Sequence, residues 1–154
     1  MSPNSRGDAP VLIVGAGPTG LVLALWLTKL GVRVRIIDKT TEPGTTSRAV
    51  AVQARTLELY QQIGIVDAVI DASLKISELN LWAGGRRAAH MVLGAMGKGV
   101  SPFPYALTYA QDAHERMLVD RLAVLGVQVE RCTELVRFDQ DDEGIHAAIR
   151  RGRR

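Results

Sequence analysis

Hydrophobic residues in the first forty positions form two short runs on either side of a leucine-rich segment. Val11–Val14 is uninterrupted and apolar, whereas residues 32–37 alternate apolar and basic side chains before ending on Asp38. The intervening segment has a helical apolar pattern to about Leu30 and is followed by Gly31, a residue that commonly ends helices. The pattern predicts strand, helix and strand in succession, the unit from which parallel α/β sheets are built.

The rest of the chain divides into elements by the same criteria. A change to period-two alternation around a Gly84-Gly85 turn indicates a β-hairpin inserted among alternating strands and helices. An inserted β-rich unit in such a fold usually covers something. Helices are predicted over residues 47–62, 66–74 and 112–125, and strands over residues 77–83, 86–93, 105–110, 127–132, 135–138 and 145–149.

The turn between the first strand and the first helix contains three glycines spaced as G-x-G-x-x-G. Gly15 permits a tight turn, Gly17 lets the backbone approach a pyrophosphate, and Gly20 lets the helix pack closely on the sheet. The helix N-terminus directs unpaired N–H groups towards the phosphates. Asp38, at the end of the second strand, is placed to accept both hydroxyls of an adenosine ribose. The segment predicts adenine dinucleotide binding.

A glycine turn that serves only strand-to-helix packing is the alternative, since 15 glycines in 154 residues produce such spacings by chance. The complete context favours the dinucleotide interpretation. A strand precedes the turn, a helix follows it, and an acid ends the next strand 18 residues beyond Gly20.

The formal net charge of +3 does not predict nucleic-acid binding, because the excess is local. Without the four arginines at 150, 151, 153 and 154, 15 basic residues stand against 16 acidic ones, which gives −1. No basic face with interleaved aromatic residues remains. We interpret the terminal arginines as a solvated end.

The sequence also bears on compartment, membrane and metal. The one cysteine, Cys132, is expected on a strand as inert packing and fits a reducing, cytoplasmic location. The longest apolar run, Leu21–Leu27, is too short to cross a bilayer, so no membrane partner is expected. His90 and His114 lie far apart without a nearby cysteine or carboxylate pair, so no metal site is predicted.

Three segments together resemble the FAD-dependent aromatic hydroxylases, the single-component flavoprotein monooxygenases with the para-hydroxybenzoate hydroxylase fold. The first is Gly15–Gly20 with Asp38. The second is SRAV at 47–50 running into QARTLE and IGI within 53–65. The third is QDAHERML at 111–118, which is similar to the family's Q-x-x-x-E-x-x-L segment.

This resemblance implies roles for individual residues in a site for tightly but non-covalently bound FAD. Asp38 would bind the adenosine ribose, where the family more often has glutamate, with Lys39 beside the adenosine. Arg48 and Gln111 would contact the phosphate and ribityl region, and a backbone amide at Leu135 would meet the adenine. The implied cofactor-binding residues are Gly15, Gly17, Pro18, Thr19, Gly20, Asp38, Lys39, Arg48, Gln111 and Leu135.

The implied fold is α/β, a Rossmann-type, glutathione-reductase-like FAD-binding sheet with an inserted β-hairpin from a substrate domain. Residues 1–75 and 106–154 would form an incomplete FAD-binding domain, and residues 76–105 the first part of the substrate domain. The resemblance implies hydroxylation of an aromatic or polyketide-like small molecule with NAD(P)H and O₂. It also implies an N-terminal part, inactive alone, whose partner is the C-terminal remainder of the same enzyme. No catalytic residue is assigned.

Other interpretations remain open at this point. Arg48 can be a solvated cation at a helix start, Gln111 can be a helix cap, and Arg55 with Glu58 can be a surface ion pair. The whole chain can be an NAD(P)-dependent dehydrogenase or reductase domain, or an adenine-dinucleotide-binding module without redox activity. The dehydrogenase alternative gives no explanation for SRAV and QDAHE.

Overall fold

The computed structural model describes residues 11–44, 49–94 and 97–152, which form two compact units. One unit is built from the described residues within 1–46 and 115–154, and the other from those within 47–114. The elements are β1 (Val11–Val14), α1 (Pro18–Lys29), β2 (Val34–Ile37), β3 (Ala49–Val52), α2 (Ala54–Ile63), α3 (Val66–Asp71), β4 (Leu74–Ile76), β5 (Glu78–Ala83), β6 (Arg86–Val92), β7 (Ala106–Ala110), α4 (Gln111–Val124), β8 (Val129–Glu130), β9 (Thr133–Asp141) and β10 (Gly144–Arg151). Within the described ranges, none of these helices is both long enough and apolar enough to cross a membrane.

The first unit contains a parallel sheet in the order β1-β2-β8. The predicted strand, helix and strand at its start are confirmed, with β2 beginning two residues later than expected. β9 and β10, which contain the strands predicted over 135–138 and 145–149, form a separate antiparallel hairpin. The buried hydrophobic residues of this unit are Ile13, Ala16, Leu21, Ala24, Leu25, Ile36, Ile37, Leu118 and Leu122.

A charged cluster links three strands of this unit. Glu130 accepts two hydrogen bonds from Arg35, at 2.7 Å from Nε and 3.0 Å from Nη2. It also accepts one from Nη2 of Arg151 at 2.6 Å. The bond from Arg35 is the main cause that lowers the pKa of Glu130, against an opposing effect of burial. Arg151, expected to be merely solvated, therefore holds β10 to β8.

The second unit contains an antiparallel sheet in the order β3-β7-β4, with α2, α3 and the β5–β6 hairpin. Its two short helices bury one side each and are separated by Gly64, which adopts φ of +74°. The buried side chains of this unit are Val52, Leu57, Tyr60, Ile65, Val66, Val69, Phe103, Leu107, Tyr109 and His114.

The helix predicted over residues 47–62 is wrong in its first part. Residues 49–52 form β3, which pairs antiparallel with β7 from Ala49 opposite Ala110 to Val52 opposite Leu107. Pairing with β7 gives the backbone of this Ala-Val repeat hydrogen bonds that a local helix would otherwise supply, and valine favours strands. Gln53 is extended, so α2 begins only at Ala54. Residues 47 and 48 lie outside the described residues.

Two other boundaries differ from the prediction. The helical piece expected over 66–74 ends at Asp71, and Leu74 begins β4, which pairs with β7. The strand expected over 127–132 is reduced to β8, and Cys132 lies in the turn after it with φ of +53°. Cys132 is therefore in a left-handed turn conformation and not on a strand.

The inserted hairpin is confirmed, with Gly84 and Gly85 both at positive φ in the turn. The period-two pattern correctly predicts its strands, but every residue of β5 is exposed within the described structure. Trp82 is 67% exposed, so it packs into no core of this unit.

Candidate nucleotide-binding site

The turn from β1 into α1 depends on two glycines for backbone reasons. Gly15 adopts φ of +105°, a conformation that residues with a β-carbon rarely accept, and its N–H donates to the Ile37 carbonyl at 2.8 Å. A β-carbon on Gly20 would lie only 2.1 Å from the Gly15 carbonyl oxygen. The sequence analysis predicted that Gly20 lets the helix pack closely on the sheet. In the structure, the atom nearest to a β-carbon at Gly20 belongs to the turn itself.

Gly17 stands at the start of α1 beside open space. It is the N-cap, with φ of −77° and ψ of 177°, and a β-carbon there would meet nothing within 4 Å. No side chain caps this helix end, its first turn carries no acidic residue, and Pro18 occupies the first helical position. An uncapped, unobstructed helix N-terminus of this kind fits an anionic group such as a pyrophosphate. Thr19 is exposed at the same end.

The Asp38 carboxylate accepts three hydrogen bonds, one from the glycine turn and two from Thr40 in the loop that follows β2. Its Oδ2 accepts from the Ala16 N–H at 2.6 Å. Its Oδ1 accepts from both the backbone N–H of Thr40, at 2.8 Å, and the Thr40 hydroxyl, at 2.6 Å. The acid at the end of β2 is thus brought beside the glycine turn, but the protein already uses much of the acceptor capacity of its carboxylate.

The surroundings of Asp38 keep its carboxylate ionised. Partial burial acts to raise its pKa, but the Thr40 hydroxyl and the backbone N–H groups of Ala16 and Thr40 outweigh burial. The guanidinium of Arg131, with Nη1 3.9 Å from Oδ1, adds to the lowering. The net result is a pKa below the ordinary value for aspartate. An ionised carboxylate at this position accepts hydroxyl groups and repels phosphate.

Arg131 was not predicted from the sequence as a site residue. It follows β8 directly, and its Nη1 donates to the Thr40 hydroxyl oxygen at 3.2 Å. The backbone around it is joined to the end of β2, since the N–H of Cys132 donates to the Thr40 carbonyl at 3.1 Å. The signal available in the sequence was position, because carboxyl ends of neighbouring parallel strands share one edge of the sheet.

Glu115 is a second residue whose role was missed. It is 4% exposed, and its Oε2 accepts the N–H of Gly44 at 3.1 Å. The loop that leaves Asp38 is thereby anchored to α4. The sequence signal was the Glu of the QDAHE segment, which the resemblance marked without explaining.

The other predicted site residues are placed less directly. Leu135 lies on β9 opposite Ile149, two residues beyond Thr133, whose N–H donates to the Asp38 carbonyl at 2.8 Å. Lys39 is exposed next to Asp38. Gln111 belongs to the second unit and is the first residue of α4. It therefore lies inside the helix, whereas the alternative interpretation of the sequence made it a cap that precedes the helix. Arg48 lies outside the described residues.

The two histidines considered for metal binding have other contacts. His90 lies 3.2 Å from Glu78 on the exposed hairpin. His114 is 2% exposed, and its Nε2 is 3.0 Å from the Tyr60 hydroxyl. Over residues 11–44, 49–94 and 97–152, no group of three or more His, Cys, Asp or Glu side chains is arranged to hold a metal ion. The surface pair of Arg55 with Glu58 is confirmed at 2.9 Å.

Comparison with known proteins identifies the family of the chain. The family described as FAD binding domain matches residues 8–154. The chain is 38% identical over 151 residues to 6-methylpretetramide 4-monooxygenase of Streptomyces rimosus, covering 98% of the chain and 27% of that protein. It is 33% identical over 150 residues to pentachlorophenol 4-monooxygenase of Sphingobium chlorophenolicum, covering 97% of the chain and 28% of that protein. The chain thus spans little more than a quarter of the length of these relatives.

Solved structures give the same result. The flavin-dependent monooxygenase PieE, in complex with FAD and substrate, matches with a TM-score of 0.83 and 27% identity over 96% of this chain and 27% of PieE. The p-nitrophenol 4-monooxygenase PnpA from Pseudomonas putida matches with a TM-score of 0.78 and 26% identity over 90% of this chain and 38% of PnpA. The fold around the glycine turn and Asp38 is therefore that of flavin-dependent monooxygenases.

Proposed function

The chain belongs to the FAD binding domain family, and from this premise we propose that it forms the adenosine-binding part of a longer flavin-dependent monooxygenase. We propose that the longer protein hydroxylates an aromatic or polyketide-like small molecule with NAD(P)H and O₂, and that the remainder of the same enzyme completes the site. When bound, FAD supplies the redox chemistry, and the protein supplies binding and orientation.

The observation that carries the proposal is the contact between Asp38 and the glycine turn. The 2.6 Å hydrogen bond from Ala16 to Oδ2 places an ionised carboxylate beside the uncapped start of α1. A group that accepts hydroxyls and an N-terminus that accepts phosphate lie side by side, the combination needed for adenosine diphosphate. We assign the pyrophosphate to the backbone from Gly15 to Gly20 and the ribose to Asp38.

The remaining assignments rest on the resemblance. Arg48 and Gln111 are proposed to contact the phosphate and ribityl part of FAD, Lys39 to flank the adenosine, and the Leu135 amide to meet the adenine. The cofactor is proposed to be held without a covalent bond. A reducing, cytoplasmic setting remains part of the proposal, because Cys132 is the one cysteine of the sequence.

The proposed substrate class is supported by the relatives' names. Two relatives are named for 6-methylpretetramide and pentachlorophenol, and one structural neighbour for p-nitrophenol. The exposed β5–β6 hairpin, with Trp82 uncovered, is the part of this chain proposed to belong to the substrate domain. The domain division at residues 75/76 and 105/106 stays a prediction about the longer protein.

The test is a titration of the purified chain with FAD and, separately, with NADH, followed by flavin fluorescence and by calorimetry. We expect saturable binding of FAD and little binding of NADH. Circular dichroism of the same samples establishes that the chain is folded. Binding of NADH with no response to FAD would contradict the proposal in favour of a dehydrogenase domain.

A variant pair makes the titration specific. Arg48→Ala is expected to weaken FAD binding, whereas Arg86→Ala, on the exposed β6 strand, is the matched control and is expected to bind as the wild type does. Equal affinity of all three proteins for FAD would remove Arg48 from the site while leaving the glycine turn and Asp38 in place.

A further inference from the structure

The Asp38 carboxylate has little acceptor capacity left for a ligand. An ionised carboxylate offers about four acceptor positions. Three are taken, one on Oδ2 by Ala16 and two on Oδ1 by the backbone and hydroxyl of Thr40. Building on the proposed function, we propose that Asp38 binds one of the two adenosine ribose hydroxyls, through Oδ2, and that Thr40 withholds Oδ1 from the other.

The proton of the Thr40 hydroxyl has two acceptors within reach, the Asp38 carboxylate at 2.6 Å and the Glu42 carbonyl at 2.9 Å. The shorter distance is typical of an O–H group donating to a carboxylate, which is roughly twice as strong as a neutral bond. Two oxygens so close without a proton between them would repel. The hydroxyl therefore donates to Oδ1.

Arg131 reinforces this direction. Its Nη1 donates to the Thr40 hydroxyl oxygen at 3.2 Å, so this oxygen accepts from the guanidinium and directs its own proton elsewhere. The Thr40 backbone is fixed as well, because its carbonyl accepts the Cys132 N–H at 3.1 Å. Thr40 is thus held by its N–H, hydroxyl and carbonyl groups, and a ribose would have to break charge-assisted bonds to displace it.

This inference changes the contact expected from the sequence. Position alone suggested a carboxylate that accepts both ribose hydroxyls, as an acid at the end of the second strand can. The side chain of Asp38 is only 13% exposed, and its bonds to Thr40 are internal to the loop. Thr40 and Arg131 are accordingly proposed as positioning residues that set how Asp38 meets the ligand.

The test compares FAD with two analogues that lack either the 2′- or the 3′-hydroxyl of the adenosine ribose. Dissociation constants are measured by calorimetry on the folded chain. We expect one analogue to bind about tenfold or more weakly than FAD, because loss of one hydrogen bond to a charged group weakens binding by about this factor. We expect the other analogue to bind within about threefold of FAD. Similar losses for both analogues, or none for either, would overturn this inference while leaving FAD binding intact. Failure of FAD itself to bind would overturn the inference that this chain's own residues hold the ribose, and would leave the proposed function, in which the remainder of the enzyme completes the site.

Thr40 variants test the cause. Thr40→Val removes the hydroxyl at nearly constant shape and frees an acceptor position on Oδ1, whereas Thr40→Ser keeps the hydroxyl. We expect Thr40→Val to become sensitive to both deoxy analogues and Thr40→Ser to retain the wild-type preference for one. If Thr40→Val discriminates between the analogues as the wild type does, Thr40 does not control Oδ1 and the inference is wrong.

Discussion

The carbonyl oxygen of Gly15 lies 2.1 Å from the position that a β-carbon on Gly20 would occupy. The neighbour is backbone, which cannot rotate away as a flexible side chain can. The glycine at position 20 is therefore required by the turn between β1 and α1, independently of any ligand.

Gly20→Ala is expected to destabilise the fold. The added methyl forces the start of α1 away from the turn, and overpacking of this kind costs about 1–3 kcal/mol. Urea unfolding followed by circular dichroism measures the change. Gly94→Ala is the control, because its β-carbon would meet nothing closer than the Ser77 carbonyl at 3.9 Å. Equal stability of Gly20→Ala and wild type would contradict the close approach.

Gly17→Ala should separate binding from stability. Its β-carbon would enter open space, and its backbone is in an ordinary extended conformation, so the free energy of unfolding should change by less than about 1 kcal/mol. The methyl would stand where the pyrophosphate is proposed to approach, and FAD affinity should fall about tenfold or more. Calorimetric titration measures it, and an unchanged affinity would place the phosphates elsewhere.

Asp38→Asn is expected to weaken FAD binding and to change the response to acid. The pKa of Asp38 is lowered in the folded chain, so its contribution to stability is present above the ordinary aspartate pKa of about 3.9 and is lost as pH falls through the folded value. The stability difference between wild type and Asp38→Asn should therefore shrink on acidification below about pH 4.

Acid titrations of unfolding, monitored by circular dichroism, check this for Asp38. Asp142→Asn, in the exposed turn between β9 and β10, is the matched control and should follow the wild-type curve. A difference between wild type and Asp38→Asn that stays constant with pH would show that the carboxylate charge is not what matters.

Tyr60 should ionise well above the ordinary pKa of tyrosine. Burial raises its pKa to about 12, so its contribution to stability is complete below the ordinary tyrosine pKa of about 10 and is lost as pH rises towards 12. Near-ultraviolet absorbance of tyrosinate, compared between wild type and Tyr60→Phe, identifies the late step.

The same variant tests the buried bond to His114. Tyr60→Phe removes the hydroxyl that lies 3.0 Å from Nε2 of His114 and should cost about 1–3 kcal/mol, since a buried polar atom loses its partner. Tyr105→Phe retains the ring under Lys75 and serves as the control. A late ionisation step that persists in Tyr60→Phe would assign the raised pKa to another tyrosine.

Glu130→Gln should cost more than Glu134→Gln. Glu130 is 29% exposed and binds two arginines, one of them through two bonds, whereas Glu134 is 41% exposed and pairs with Arg150 on the surface. We expect about 1 kcal/mol for the first and less than about 0.5 kcal/mol for the second in urea unfolding. Equal effects would show that the cluster joining β2, β8 and β10 adds nothing beyond a surface pair.

Local patterns predicted most of the elements because their causes are local. The Gly84-Gly85 turn predicted the hairpin, and both residues adopt positive φ there. The helical pattern over residues 112–125 predicted α4. The prediction failed at residues 49–52, where an Ala-Val repeat follows a polar loop. Whether such a segment becomes helix or strand depends on a partner, and its partner β7 lies more than fifty residues away in the sequence.

The sequence by itself determined that a glycine turn joins a strand to a helix and that an acid ends the next strand. It did so because glycine backbone freedom and strand or helix periodicity are properties of neighbouring residues. Only the tertiary structure decided which acceptor positions of the Asp38 carboxylate remain for a ligand. Ala16 contacts Asp38, and Arg131 contacts Thr40 beside it, from other parts of the chain, and hydrogen bonds formed across such distances leave no local pattern in the sequence.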